Sequence, residues 1–258
     1  MTCVVINLDK RPDRLEAFKK EFEREAPGHT LERFPARTSS VAQNAVVNGR
    51  IGCMLSHRGV VELARDRGLE YVVVFEDDVT LVPGAGERWV RAIEQLGARP
   101  WWKLFLGQNT QGPVLKQGEN LYRVSRSLTT HAVVYHRRSY EGILKRLPVT
   151  ESEALPFVAR HKAVDVYFSR HVIPLVPSYC VWPHLAHQRP DVSDIQGNAT
   201  QLTHDDDRTE RWIVDSAASY GIRCAAWKWG RRPVHRLMER ITCLRKRKFY
   251  AAAPVASA

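Results

Sequence analysis

Cysteine is scarce and unpaired in this chain. Five thiols, Cys3, Cys53, Cys180, Cys224 and Cys243, are scattered over 258 residues, odd in number and without a C-x-x-C pair. That pattern points to reduced thiols in a cytosolic protein and argues against a zinc site. Long apolar runs are also missing: none approaches the roughly 18 residues that a membrane span needs. There is no internal repeat, and no low-complexity stretch apart from the alanine-rich last residues. The opening segment, Met1 to Leu8, has no basic region before it, and Asn7 and Asp9 interrupt its apolar character. It is expected to be a first strand and not a signal peptide.

What remains is an ordinary globular composition, 44% hydrophobic and 26% charged, enough for one large domain or two small ones. The net charge of +11 is unevenly placed. From Lys228 to Lys248 nine Lys/Arg face Glu239 alone, so this one segment holds +8 of the excess. The rest is close to balanced and lacks the basic face with stacking aromatics of a nucleic-acid binder. No nucleic acid is expected as a partner.

Against that background one stretch stands out. Tyr71-Val72-Val73-Val74-Phe75 reads as a strand buried on both faces, and it stops on three carboxylates, Glu76, Asp77 and Asp78. If the strand continued, Glu76 and Asp78 would share a side and Asp77 would point away. Ligands of open α/β sheets collect beyond the carboxyl ends of the strands. Oxygen-only ligands at that place suit Mg²⁺ or Mn²⁺ holding a diphosphate. A solvated turn with a helix-capping aspartate is the competing explanation.

The surrounding chain alternates strand and helix. Strands are expected at Cys3 to Leu8, Leu31 to Pro35, Trp101 to Leu106 and His131 to Tyr135. Helices are expected around Pro12 to Phe22, Gly52 to Leu63, Trp89 to Leu96 and Tyr140 to Leu147. Gly52, Ser56 and Gly59 would let a neighbour or ligand approach closely. This order predicts an α/β fold with a mainly parallel central sheet covered on both faces. After about Pro148 the regularity fades, and Pro174 to Pro190 and Asp191 to Asp207 read as loops over a site.

Several ordered blocks resemble glycosyltransferase family 25, the bacterial lipooligosaccharide galactosyltransferases and their procollagen galactosyltransferase relatives. They are Val4-Val5-Ile6-Asn7-Leu8-Asp9-Lys10-Arg11-Pro12-Asp13-Arg14, Gly52-Cys53-Met54-Leu55-Ser56-His57 and Phe75-Glu76-Asp77-Asp78-Val79. Thr130 to Tyr135, Asp165-Val166, and Gln188 with Ser193-Asp194-Ile195 complete the pattern. The resemblance runs from Val4 to about Gln196. One departure is Ala36-Arg37-Thr38-Ser39, where the family often carries an Ala-x-Asp-Gly turn.

The resemblance implies a GT-A type fold and inverting transfer of a sugar, commonly galactose, from a UDP-sugar to a glycan or glycolipid acceptor such as lipopolysaccharide. It divides the chain into a glycosyltransferase domain, 1–226, and a basic amphipathic tail, 227–258. A divalent cation, Mn²⁺ or Mg²⁺, would offset the charge of the departing UDP. In the D-x-D role, Glu76 would face the nucleotide and Asp78 would bind the metal, with Glu76 as a further metal ligand and Asp77 less defined. His184, His187 and Gln188 are candidates for a ligand from the far side, His187 first for the metal and Gln188 for substrate. The base that takes the acceptor proton would be Asp165, or else Asp194. Asn7, Arg11, Arg14, Ser56, His57 and Ser193 complete the expected substrate contacts.

Each assignment has a plainer alternative. Asp165 could be a helix-terminal aspartate, His57 a buried hydrogen-bonding residue, and Arg11 and Arg14 solvated first-turn residues. Other function classes also fit clustered carboxylates: a nucleotidyltransferase, or a non-catalytic protein using its basic tail to bind nucleic acid or a partner. In the tail, Val234, Leu237, Met238, Ile241 and Leu244 keep helical spacing among basic residues. Either that helix lies on an anionic membrane surface, making a cytoplasmic enzyme peripheral to the inner face of the cytoplasmic membrane, or it packs on the domain.

Overall fold

The structure is a computed structural model, and it describes residues 1–189 and 206–225. Ser193, Asp194 and the tail 227–258 lie outside the described residues. The chain begins β1 (Thr2–Asn7), α1 (Pro12–Glu25), β2 (Thr30–Pro35), α2 (Ala45–Asp66), β3 (Tyr71–Glu76), β4 (Val79–Leu81) and α3 (Ala85–Leu96). It continues through β5 (Lys103–Thr110), β6 (Val114–Gly118), β7 (Leu121–Val124), β8 (Ser127–His136), α4 (Arg137–Leu144), α5 (Glu151–His161) and α6 (Val164–Tyr167). A π-helical turn (Phe168–Val172), β9 (Ser178–Val181), β10 (Ala186–Gln188), α7 (Asp206–Trp212) and β11 (Ile213–Val214) follow.

Among the described residues, nine strands form one sheet in the order β11-β6-β7-β9-β5-β8-β3-β1-β2. The pairings make β8 and β7 the two strands that run against the other seven, so the sheet is mainly parallel as expected. Strand alternation sorts the core into two layers. Val4, Ile6, Val72, Val74, Val133 and Tyr135 face the side covered by α2, α4, α5 and α6. Cys3, Val5, Val73, Phe75, Ala132 and Val134 face α1 and α3. On that side Phe75 meets Phe18 at 5.3 Å, Trp89 at 5.8 Å and Phe22 at 6.2 Å between centroids. Such tilted aromatic pairs each add about 0.5–1.5 kcal/mol beyond their burial.

Three expectations need correction. Helix α2 begins well before Gly52, because the Asn44 side chain accepts hydrogen bonds from Val46 N and Val47 N and caps it there. Regularity does not fade after Pro148: Thr150 and Glu153 form a capping box that starts α5. Nor is Pro174 to Pro190 all loop, since β9 is buried beside β5 in the sheet. Strand β10 lies outside that sheet and pairs antiparallel with β4 as a short ribbon. Among the described residues, no helix is long and apolar enough to cross a membrane.

Candidate active site

Strand β3 ends at Glu76, and the chain turns at Asp77 and Asp78 before β4. Glu76 turns to α2 and β8 while Asp77 turns to β1 and α1, in line with strand alternation. All three line one cleft of about 310 Å³ beyond the carboxyl ends of β1, β2 and β3. Lys10, Arg14, the Arg37–Ser39 segment and the first half of α2 form its other walls.

Each carboxylate has its own partners. Asp77 accepts from Asn7 Nδ2 at 2.7 Å and lies 3.4 Å from Arg14 Nη1, both buried. It anchors the turn to β1 and α1, which gives Asn7 and Arg14 a structural task. Burial pushes the Asp77 carboxyl up despite these two partners.

Glu76 Oε1 accepts from Thr130 Oγ1 at 2.9 Å and meets His57 Nε2 at 3.3 Å. The other His57 nitrogen lies 3.2 Å from the Tyr135 hydroxyl. Burial would raise Glu76, but the His57 hydrogen bond and charge, the nearby His131 and the Thr130 hydroxyl outweigh it and hold the carboxyl below its usual range. Glu76 is thus an anion fixed by β8 and α2.

Asp78 is the exposed question of the site. Among the described residues, its buried Oδ1 has no hydrogen-bond partner. Burial, then the charges of Glu76 and Asp77, push its pKa up to about 7; Arg14 and Gln188 oppose this. A buried carboxylate oxygen left open beside two others fits a hard divalent cation. Glu76 and Asp78 would hold it.

The β10 ribbon supplies the far side. Gln188 sits opposite Val79, and Arg189 N donates to Asp78 O at 2.7 Å. The Arg189 guanidinium reaches Glu21 at 3.2 Å and Val79 O at 3.1 Å, tying the ribbon to α1. Of the expected far-side groups, Gln188 is the one that favours the ionised form of Asp78. His187 pairs with Thr80 in the ribbon and lies 6.4 Å, ring to ring, from His184. His184 is not a ligand: Nδ1 meets Val181 O at 3.0 Å and Nε2 meets Thr209 Oγ1 at 3.4 Å.

Two other expected contacts, Ser56 and Arg11, have partners within the fold. Ser56 Oγ donates to Gly52 O at 2.7 Å and accepts from Arg37 N at 2.8 Å. It fastens the Arg37 segment, which follows β2, to the wall of the cleft. Gly52 allows that approach, since a Cβ there would meet Arg37 O at 2.4 Å. Arg11 pairs with Asp13 through Nη2 at 2.9 Å, while its neighbour Lys10 lines the cleft.

Asp165 stands at the start of α6, where Oδ2 accepts from Thr129 N at 3.0 Å and Oδ1 from Val166 N at 2.7 Å. Thr129 is held at a φ of 69°, a left-handed conformation unusual for threonine. Asp165 thus braces the end of β8 next to Thr130 and Glu76. Lys103, which sequence reasoning did not single out, is buried with Nζ 3.0 Å from the Phe168 ring centroid. Burial pushes its pKa far down, and the Asp165 charge opposes this. Thr130 and Tyr135 were visible only as strand residues; no local pattern marks a hydroxyl that will meet Glu76 or His57.

An α/β sheet with a carboxylate-lined cleft at its strand ends defines a class of ligand-binding folds, and similarity narrows it. Residues 33–133 match the model of glycosyltransferase family 25 (LPS biosynthesis protein). It is 32% identical over 130 residues to "Probable inactive glycosyltransferase 25 family member 3" of Bos taurus, covering 42% of this chain and 22% of that protein. Identity to "Glycosyltransferase 25 family member" of Drosophila melanogaster is 25% over 193 residues, 65% of this chain and 30% of that protein. The chain thus spans less than a third of the length of either relative. Among solved structures, a glycosyltransferase involved in glycosylation of the major capsid of PBCV-1 aligns with a TM-score of 0.47 and 10% identity, over 81% of this chain and 98% of that one.

Proposed function

We propose that this chain is a metal-dependent, inverting glycosyltransferase of GT-A type that moves galactose from UDP-galactose to a glycan or glycolipid acceptor of the lipopolysaccharide kind. The observation that carries the reading is Asp78: a buried carboxylate oxygen, without a hydrogen-bond partner among the described residues, in a cleft that Glu76, Lys10 and Arg14 also line. A bound Mn²⁺ or Mg²⁺ would neutralise charge on the diphosphate. Glu76 and Asp78 would hold that ion, with His187 and Gln188 on the ribbon side. Lys10 and Arg14 would offset charge on the departing UDP. His57 and Thr130 keep Glu76 ionised and oriented. Asp165 would accept the proton of the acceptor hydroxyl at a carboxylate oxygen, with Asp194 as the other choice. Ser193 would contact the donor. The basic segment 227–258 would dock the enzyme on the inner, anionic face of the cytoplasmic membrane, beside a lipid-linked acceptor.

A second reading, donor binding without transfer, is favoured by one observation. Both Asp165 oxygens already accept backbone N–H bonds, which suits a structural aspartate. The test is release of free nucleotide from a panel of UDP-, GDP- and CMP-sugars, with and without Mn²⁺. Mn²⁺-dependent UDP release from UDP-galactose supports transfer. Saturable UDP binding without release selects the second reading. Neither binding nor release with any of these donors overturns both.

A further inference from the structure

One wall of the cleft carries a donor set that the carboxylates do not explain. Cys53 and His57 are four residues apart on α2, so they project from one face of that helix. Strand β3 brings Glu76 against them. The Cys53 thiol, a His57 nitrogen and a Glu76 oxygen all lie within 4.8 Å of one another, and all three residues line the cleft. The absence of a C-x-x-C pair argues against a zinc site only when every ligand comes from local sequence. Here the third ligand comes from another strand.

We propose that Cys53, His57 and Glu76 form a site for Zn²⁺ or a similarly soft divalent ion, distinct in its thiol donor from the carboxylate site at Asp78. Thiolate, imidazole and carboxylate are the donors that zinc takes in tetrahedral sites, and three protein ligands leave the fourth position open to the cleft. The surroundings are already arranged for it. The Tyr135 hydroxyl lies 3.2 Å from His57 Nδ1, where it can accept Nδ1–H and leave the Nε2 lone pair for an ion. Thr130 Oγ1 donates to Glu76 Oε1 at 2.9 Å and fixes that carboxylate beside the thiol. On binding, the Cys53 S–H proton leaves to solvent and the S⁻–metal bond forms, while the His57 proton moves from Nε2 to Nδ1. Because Glu76 belongs to both sites, zinc and the hard cation would compete for its carboxylate. That consequence alone rests on the proposed function; the binding itself does not.

The test is Co²⁺ titration of the reduced, metal-free full chain, followed by near-ultraviolet absorption. A saturable thiolate-to-Co²⁺ charge-transfer band, displaced by Zn²⁺ and not by Mg²⁺, is expected. Cys53→Ser should abolish the band, Cys224→Ser and Cys243→Ser should keep it, and Tyr135→Phe should weaken Zn²⁺ binding about 10- to 100-fold. No band, or a band that survives Cys53→Ser, overturns the proposal. A measurement on the unaltered protein guards against misfolded variants: Zn²⁺ should protect Cys53 from iodoacetamide, read by peptide mass spectrometry, and equal modification with and without Zn²⁺ counts against the site. Both measurements omit nucleotide sugar, so failure of UDP-galactose turnover would leave them unaffected.

Discussion

Asn7 Nδ2 donates to Asp77 Oδ2 across 2.7 Å, joining the ends of two parallel strands 70 residues apart in sequence. The same amide nitrogen also donates to Arg11 O at 2.8 Å, and Asn7 Oδ1 accepts from Arg33 Nε at 3.0 Å. One buried side chain therefore links β1, the start of α1, β2 and the acidic turn. Removing it leaves Asp77 with Arg14 as its remaining described partner. Asn7→Ala should cost about 1–3 kcal/mol, the penalty for a buried polar group left unsatisfied. Urea unfolding checks this, and a loss well under that range would show that the turn is held elsewhere.

Much of this was legible in the sequence, for identifiable reasons. The apolar run of β3 ending on Glu76 located the cleft, because burial on both faces and three adjacent charges cannot continue together. The faces of α1 and α3 were read correctly from Phe18, Phe22, Trp89 and Ile93, which are buried. Partners distant in sequence were not legible: Thr130 with Glu76, or Tyr135 with His57, meet only once β8 has inserted antiparallel between β3 and β5. The buried Lys103 likewise gives no local signal. The Thr150–Glu153 capping box was available to sequence reasoning and was overlooked.

Gly52 should not tolerate a side chain. Its would-be Cβ lies 2.4 Å from Arg37 O, a backbone atom that cannot rotate away. Gly52→Ala should destabilise the fold by about 1–3 kcal/mol and shift the Arg37–Ser39 wall of the cleft. Thermal unfolding together with nucleotide titration tests both effects; unchanged stability and unchanged binding would refute the packing argument.

Asp78 gives the metal-free protein a pH dependence of defined sign. Between the ordinary value of 3.8 and the raised value of about 7, the folded protein keeps a proton that the unfolded chain has released. This group's contribution to stability is present below that window and is lost as pH rises through it. The metal-free melting temperature should therefore fall more steeply between about pH 4 and about pH 7 in the parent than in Asp78→Asn. Parallel curves for the two proteins would contradict the assignment.

Asp165 separates catalysis from architecture. Asp165→Asn should abolish transfer while UDP binding in the presence of Mn²⁺ persists, because the base acts on the acceptor. If the variant instead melts at a much lower temperature and loses UDP binding too, bracing Thr129 and α6 is its main task.

The central claim is that the acidic turn and its cleft bind a nucleoside diphosphate through a divalent ion held by Asp78. Calorimetric titration of UDP into the full chain, with Mn²⁺ and with excess chelator, tests it most directly. The account predicts saturable binding with Mn²⁺, at least about a hundredfold weaker without it or in Asp78→Asn, as expected for removal of a charged ligand in a buried site. UDP binding that is equally tight with chelator, or unchanged in Asp78→Asn, would contradict it.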